Sequence, residues 1–171
     1  MPAVRWDEIG EMTCSVARSL AVVGDRWTLM VLRDCFLGTR RFDAFQRQLG
    51  ATPHVLTDRL RKLVDAGVLE RVAYQERPTR HEYRLTEKGL DLYPVIASLV
   101  RWGDRWEAGA AGPPLELRHR DCGHATTPTL VCSECGEPLD PRAMEARPGP
   151  ALRALGFPEE IPPRRRAPEQ E

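Results

Sequence analysis

The 171-residue sequence has no long hydrophobic run. No stretch approaches the roughly 18 apolar residues of a membrane-spanning helix. The opening "MPAVRWDEIGEMTC" carries acids where a secretion signal would have a basic region and an apolar run. The expectation is a cytoplasmic protein that does not enter a membrane. Lysine is almost missing: Lys62 and Lys88 are the only two, and every other basic residue is Arg, which can grip phosphate with two donors at once. Net charge is absent too, with 25 basic against 25 acidic side chains. Cysteine is sparse, at five residues. In a reducing cytosol, cysteines that occur in groups point to metal rather than to disulfides. Finally, there is no nucleophile–base pair, phosphate-cradling glycine loop or open metal site. His54, His81 and the nearby carboxylates lack the company that acid–base chemistry needs, so an enzyme is not expected.

The charge that is present is unevenly spread. Residues 40–88 hold eleven Lys/Arg against seven Asp/Glu, a balance of +4, and the remainder holds fourteen against eighteen, a balance of −4. A basic segment inside an acidic remainder suggests a local anionic partner. Proline is just as uneven: four of the fifteen lie in 1–112 and eleven in 113–171. This shift, at "EAGAAGPP" (107–114), divides the chain into a helical domain (1–112), a Cys/His-bearing appendage (113–147) and a Pro-rich tail (148–171) expected to be disordered or loosely docked.

Within the first domain the apolar periodicity gives an order of elements. "TCSVARSLAVVG" reads as a helix ending at Gly24. Asp25 can cap a second helix, "RWTLMVLRDCFLG", with Trp27, Met30, Val31 and Leu32 on its buried side. Phe42, Phe45 and Leu49 mark a third. In "ATPHVLTDRLRKLVDAG", Thr52 is a good N-cap, Pro53 suits the first helical position, and Leu56, Leu60, Leu63 and Val64 form one stripe that Gly67 stops. "VLERVAYQ" and "RHEYRLT" read as two strands joined by "ERPT". Thr86 would cap a long final helix running to about Trp106, with Leu90, Tyr93, Ile96, Leu99, Val100, Trp102 and Trp106 spread widely around it. Cys35, beside Phe36 and Leu37, reads as core.

Helix, helix, turn, capped helix, hairpin is the order of a winged helix-turn-helix. The face of the capped helix opposite its apolar stripe shows His54, Thr57, Asp58, Arg61 and Lys62, at about 100° per residue. These groups can reach base edges in a major groove, with Asp58 either accepting from a cytosine or pairing within the helix. Arg40 and Arg41 precede the third helix, where they could grip phosphate. Arg77 and Arg80 sit at the hairpin tip, where a wing meets backbone or minor groove. The motifs "GDRWT", "RRFDAFQRQLG", "LTDRL" and "YRLTEKG" occur in one order over about residues 13–107, and with them the chain resembles the HxlR family of winged-helix transcriptional regulators. The resemblance implies a homodimer on double-stranded DNA with inverted half-sites, paired through its first and last helices; Trp102 and Trp106 fit such a contact.

Cys14 opens the first helix, where the helix terminus and Arg18, one turn on, would favour a thiolate. In proteins of this family a cysteine at this place often senses an electrophile or oxidant; it is usually followed by proline, and here by Ser15. Modification of Cys14 could shift the spacing of two DNA-reading helices. A small ligand or a metal acting on the same fold is the alternative input, and a protein-interaction module of the transcription machinery the alternative function.

The appendage holds two matching pieces. His119-x-x-Cys122-Gly123 and Cys132-x-x-Cys135-Gly136 are both ligand-x-x-Cys-Gly, the tight turn whose N–H groups face a metal-bound sulfur. "ATTPTLV" between them suits a strand. Together they resemble a small zinc ribbon with His119, Cys122, Cys132 and Cys135 as ligands, and His124 as the alternative to His119. Mixed Cys/His ligands favour Zn2+, and four protein ligands make it structural. The fold class expected is therefore α+β, mainly α: a winged helix-turn-helix with helical dimerisation elements and a small zinc-ribbon-like β segment.

Overall fold

The computed structural model describes residues 5–158. They fall into two compact units, the first reaching Thr129 and the second beginning at Leu130. Pro113, Leu115–Leu117 and Ala125–Pro128 line a groove along the last long helix of the first unit, and Arg101 on that helix donates to the Pro128 carbonyl oxygen at 3.2 Å.

In the first unit a 3-10 turn (Trp6–Glu11) precedes α1 (Ser15–Val23), α2 (Arg26–Phe36), α3 (Phe42–Leu49) and α4 (Pro53–Asp65). The starts of α2 and α4 follow from their caps. Asp25 accepts from the N–H groups of Trp27 (2.9 Å) and Thr28 (3.2 Å), and Thr52 Oγ1 accepts from Val55 N–H at 3.4 Å. Pro53 costs nothing at the first helical position, where its missing N–H has no partner to lose. Past the end of α4, Gly67 takes φ +68°, a left-handed conformation open to glycine without a Cβ penalty.

Val31, Leu32, Phe45, Leu56, Leu60, Leu63, Val68, Leu69 and Ile96 form one buried cluster. Each such side chain contributes roughly 1.5–3 kcal/mol by leaving water. On α2 the buried side is narrower than its apolar residues suggest: Val31 and Leu32 are buried with Thr28, but Trp27 is only half-buried and Met30 is exposed.

β1 (Leu69–Glu76) and β2 (Thr79–Leu85) pair antiparallel from Leu69↔Leu85 to Glu76↔Thr79, within a residue of the expected strands. The register slips between Ala73 and Gln75, leaving Tyr74 as a bulge. The stretch before α3 adds a third edge, with Tyr83 N–H donating to the Arg40 carbonyl at 2.8 Å and a bridge pairing Arg41 with Glu82.

The single long helix expected after the hairpin is two. Thr86 caps a short α5 (Glu87–Leu90), accepting from Gly89 N–H at 3.1 Å, and α6 runs from Tyr93 to Trp106. Pro94 is the reason. Without an N–H it cannot bond back to Leu90, and its ring would crowd that carbonyl, so the helix restarts with Pro94 in its first turn. Gly89 is pressed against the residue that precedes β1: a Cβ there would lie 2.2 Å from the Val68 carbonyl oxygen.

Residues 125–131, expected as a strand, form only isolated bridges at Ala125 and Val131; a proline at 128 and exposed neighbours give a longer ladder nothing to pack on. In the tail, Pro150–Ala154 form a short helix, α7. Residues 159–171 of the tail, with Arg164–Arg166, lie outside the described residues.

Candidate nucleic-acid interface

α4 divides cleanly between core and solvent. Leu56, Leu60 and Leu63 are at most 1 % exposed, while His54, Thr57 and Arg61 face out. Asp58 sits among them as an internal partner, 3.1 Å from Arg61 Nη2 and 3.7 Å from His54 Nε2. Lys62 is half-buried and marks the edge of the face. The helix is tied to α2 by a contact that sequence reading missed: Arg59 Nε lies 2.9 Å from Asp25 Oδ1, an ion pair without hydrogen-bond alignment. Asp25 thus caps α2 and positions α4 with one carboxylate.

Arg40 and Arg41, expected as phosphate grips, take different places. Arg40 is exposed. The Arg41 guanidinium lies 4.4 Å from the centroid of the Tyr74 ring, the residue displaced by the bulge, which carries the aromatic face toward it. Both arginines line an open depression of about 560 Å³ with Thr39, Gln48 and Glu82. At the hairpin tip Arg77 and Arg80 are exposed, and the turn is braced by Gln75 Nε2 donating to the Arg77 carbonyl and Thr79 Oγ1 to the Glu76 carbonyl, both at 3.0 Å. Arg71, also missed, lies on the same hairpin with Nη2 3.0 Å from His81 Nδ1. A strand-face count on β1 would have pointed to it.

Away from this face, Cys14 is exposed and is the N-cap residue of α1, with its carbonyl accepting from Arg18 N–H at 3.0 Å. The Arg18 guanidinium turns instead to the Met12 carbonyl, at 3.1 Å. Cys35 is half-buried; burial, with a smaller contribution from Asp34, pushes its thiol up to about 12. α6 has two faces. Ile96 and Ala97 are buried, while Val95, Leu99, Trp102 and Trp106 are 46–63 % exposed at heptad-like spacing. Among the described residues the two tryptophans thus keep more than half of their surface open. Beside α6 a groove of about 670 Å³ is lined by Arg101, Asp104, Arg105, Leu115 and Leu117. Among the described residues no helix is long and apolar enough to cross a membrane.

The Cys/His pieces form turns of one kind. In the first unit, Gly123 N–H donates to the His119 carbonyl at 2.8 Å, Gly123 takes φ +71°, and His119 Nδ1 lies 3.4 Å from Cys122 Sγ. In the second unit, Gly136 N–H donates to the Cys132 carbonyl at 2.9 Å, with φ +75° at Gly136. The backbone N–H groups of Cys135 and then Glu134 hold the Cys132 thiol below its ordinary range. Among the described residues no three His, Cys, Asp or Glu side chains gather into a group that could hold a metal ion.

Residues 22–110 match the family model described as HxlR-like helix-turn-helix. An uncharacterized HTH-type transcriptional regulator of Mycobacterium tuberculosis, Rv3095, is 47% identical over 140 residues, covering 82% of this chain and 89% of its own. Any continuous 140-residue stretch of a 171-residue chain contains residues 32–140, so that match takes in both Cys/His turns. Among solved structures, PA1607, a candidate transcription factor, superposes with a TM-score of 0.72 and 34% identity over 80% of this chain and 96% of its own. The redox regulator HypR in its oxidized form gives 0.51 and 33% over 54% of this chain and 96% of its own. These relatives are regulators rather than enzymes, and the chain belongs to the HxlR-like family of helix-turn-helix transcriptional regulators.

Proposed function

We propose that this regulator is a homodimeric, sequence-specific repressor that reads an inverted-repeat operator with α4 and answers to a thiol signal at Cys14. The observation that carries the DNA reading is the solvent face of α4: His54, Thr57 and Arg61 stand out from a helix whose other side is locked by Leu56, Leu60, Leu63 and the Arg59–Asp25 pair. Such a rigid, capped helix can enter a major groove without reordering. Exposed Arg40, Arg77 and Arg80 supply phosphate contacts around it. The apolar row Val95–Leu99–Trp102–Trp106 on α6 supports pairing of two chains, which sets two reading helices about 34 Å apart on one side of the duplex.

For the signal, Cys14 is exposed at a helix start, and the similarity to a redox regulator supports a thiol input. With a peroxide the sulfur takes one oxygen to become a sulfenic acid and water leaves; with an electrophile it forms a thioether. A second reading keeps the fold and replaces the signal. The groove beside α6 sets Arg101 and Arg105 against Asp104 and Glu116, with Leu115 and Leu117 among them, a lining of balanced charge suited to a small effector with both apolar and polar parts.

Fluorescence anisotropy on the DNA upstream of the gene tests this reading. The expected result is tight binding with a steep salt slope, abolished by oxidant in the parent and retained in Cys14→Ser. Oxidant-insensitive binding would leave the regulator and move its input to the α6 groove. Binding with little salt dependence would sink the operator reading and favour a protein-interaction module.

A further inference from the structure

Three segments meet at the wing, and one side chain ties them together. The stretch before α3 lies along the edge of β2: Tyr83 N–H donates to the Arg40 carbonyl at 2.8 Å, and Arg41 is bridged to Glu82. β2 in turn pairs with β1, with Val72 opposite Glu82. Residues paired in this way point to one face, so Arg41, Glu82 and Val72 share it. Tyr74 belongs to the far strand, β1, which lies two strand spacings, roughly 10 Å, from the Arg41 backbone. The Arg41 guanidinium nevertheless stands 4.4 Å from the centroid of the Tyr74 ring. It reaches across β2 to do so. The acid bridged to it, Glu82, is taken by Arg84, whose Nε donates to Glu82 Oε1 at 2.7 Å.

The hairpin needs such a tie. Beyond Leu69 no residue of β1 is buried, and a two-stranded hairpin is marginal in water unless a face is covered. Leu69 is the root, held in the core. From there to Arg77 the chain extends roughly 26 Å. The tip carries Arg77 and Arg80, both exposed. A lever anchored only at its root leaves its tip free to swing. Tyr74 sits past the middle of β1, where a hold is effective. The bulge at this position serves the contact, because the extra residue has no partner opposite it on β2 and its ring is free for Arg41.

We propose that Arg41 is a positioning residue: it holds the wing through the Tyr74 ring and acts on DNA through Arg77 and Arg80, without touching phosphate itself. The proposal rests on the DNA reading given above and separates Arg41 from its neighbour Arg40, which keeps the role of a phosphate contact. A guanidinium suits the task because its planar group lies on an aromatic face more readily than a compact ammonium does.

The test measures operator affinity against salt for the full chain. Arg41→Gln and Tyr74→Leu should each weaken binding about two- to five-fold, the factor that an exposed contact of cation and ring is worth. The two together should cost no more than either alone, since they remove one interaction. Tyr74→Phe keeps the ring and should bind as the parent does. The deciding background is Arg77→Gln with Arg80→Gln. There the tip has no charge left to place, so Arg41→Gln should change neither the affinity nor the salt slope. A phosphate contact made by Arg41 itself would still take about 0.9 from the slope in that background, and that result would overturn the proposal. A ring that only stabilised the fold would lower the denaturant midpoint of Tyr74→Leu and leave its operator binding at the parent's value, which overturns the proposal too. Hydrogen exchange without DNA separates the clamp from the DNA reading. The Tyr83 amide and its hairpin neighbours should exchange faster in Arg41→Gln and Tyr74→Leu, and at the parent's rate in Tyr74→Phe. Unchanged exchange in the first two overturns the clamp whatever the DNA result. A parent with no salt-steep complex overturns the DNA reading and this role with it, while the differences in exchange would remain.

Discussion

On the proposed reading Asp58 is an acid on the helix face that meets a polyanion, and its neighbours explain how it is tolerated. Paired to Arg61 at 3.1 Å and near His54, it holds the arginine side chain ready. Such an exposed pair adds only about 0.5 kcal/mol to stability. Asp58→Asn should therefore leave the melting temperature nearly unchanged and tighten operator binding a few-fold, by about 1 kcal/mol of relieved repulsion. Binding that weakens only on operators with one particular cytosine would instead make Asp58 a base reader. Arg61→Ala should cost about 1–3 kcal/mol and relax specificity at one base pair, measured by anisotropy across operator variants. Cys35 gives a pH-dependent counterpart. Its thiol is raised from 9.0 to about 12 by burial and by Asp34. The folded chain keeps that proton where the unfolded chain loses it, so this contribution to stability is full below pH 9 and falls as pH rises toward 12. Mass-spectrometric alkylation near pH 8 should label Cys14 and spare Cys35 until denaturant is added.

Elements, more than single residues, were open to sequence reading, and the reason differs along the chain. α2 and α4 were legible because Asp25, Thr52, Pro53 and Gly67 mark their ends by local chemistry, independent of what packs against them. The solvent-facing side of α4 followed, since its apolar stripe fixes the opposite face. The break before α6 was hidden because Leu90, Tyr93 and Ile96 keep a helical rhythm across it, and only the Pro94 ring interrupts the backbone. Arg41 over Tyr74 and Arg59 beside Asp25 join residues about thirty positions apart, and no local pattern records such pairs. The element junction at α5 can be probed through Gly89, which has no room for a Cβ against Val68. Gly89→Ala should destabilise the domain by about 1–3 kcal/mol through overpacking, read from denaturant midpoints at unchanged slope. Leu60→Ala, at a fully buried position of α4, should cost about 2–5 kcal/mol.

At the scale of the whole molecule, one chain offers one reading helix, and a few base pairs at about 1–3 kcal/mol each do not single out a site in a genome. On the proposed reading a second helix comes from a partner chain, and the exposed row of α6 is where the pairing is expected. Trp102 and Trp106, 57 % and 63 % exposed, continue a row begun by Val95 and Leu99 that stands about half open among the described residues. Arg105, with its guanidinium 4.8 Å from the Trp106 ring centroid, borders that row with a cation. Trp102→Ala combined with Trp106→Ala removes aromatic area without touching Ile96 or Ala97, which face the core of the same helix. The double variant should stay folded, with an unchanged helical signal, and light scattering should find it as a monomer where the parent is a dimer. Its anisotropy on a full operator should then match that of the parent on an isolated half-site. The slope of log affinity against log salt should fall to about half, because one set of phosphate contacts replaces two. A double variant that remains a dimer with the full salt slope would move the dimer contact away from α6. A monomer that keeps full operator affinity would show that one α4 with its wing reads enough DNA alone, and the inverted-repeat operator would no longer be needed to explain how this regulator finds its site.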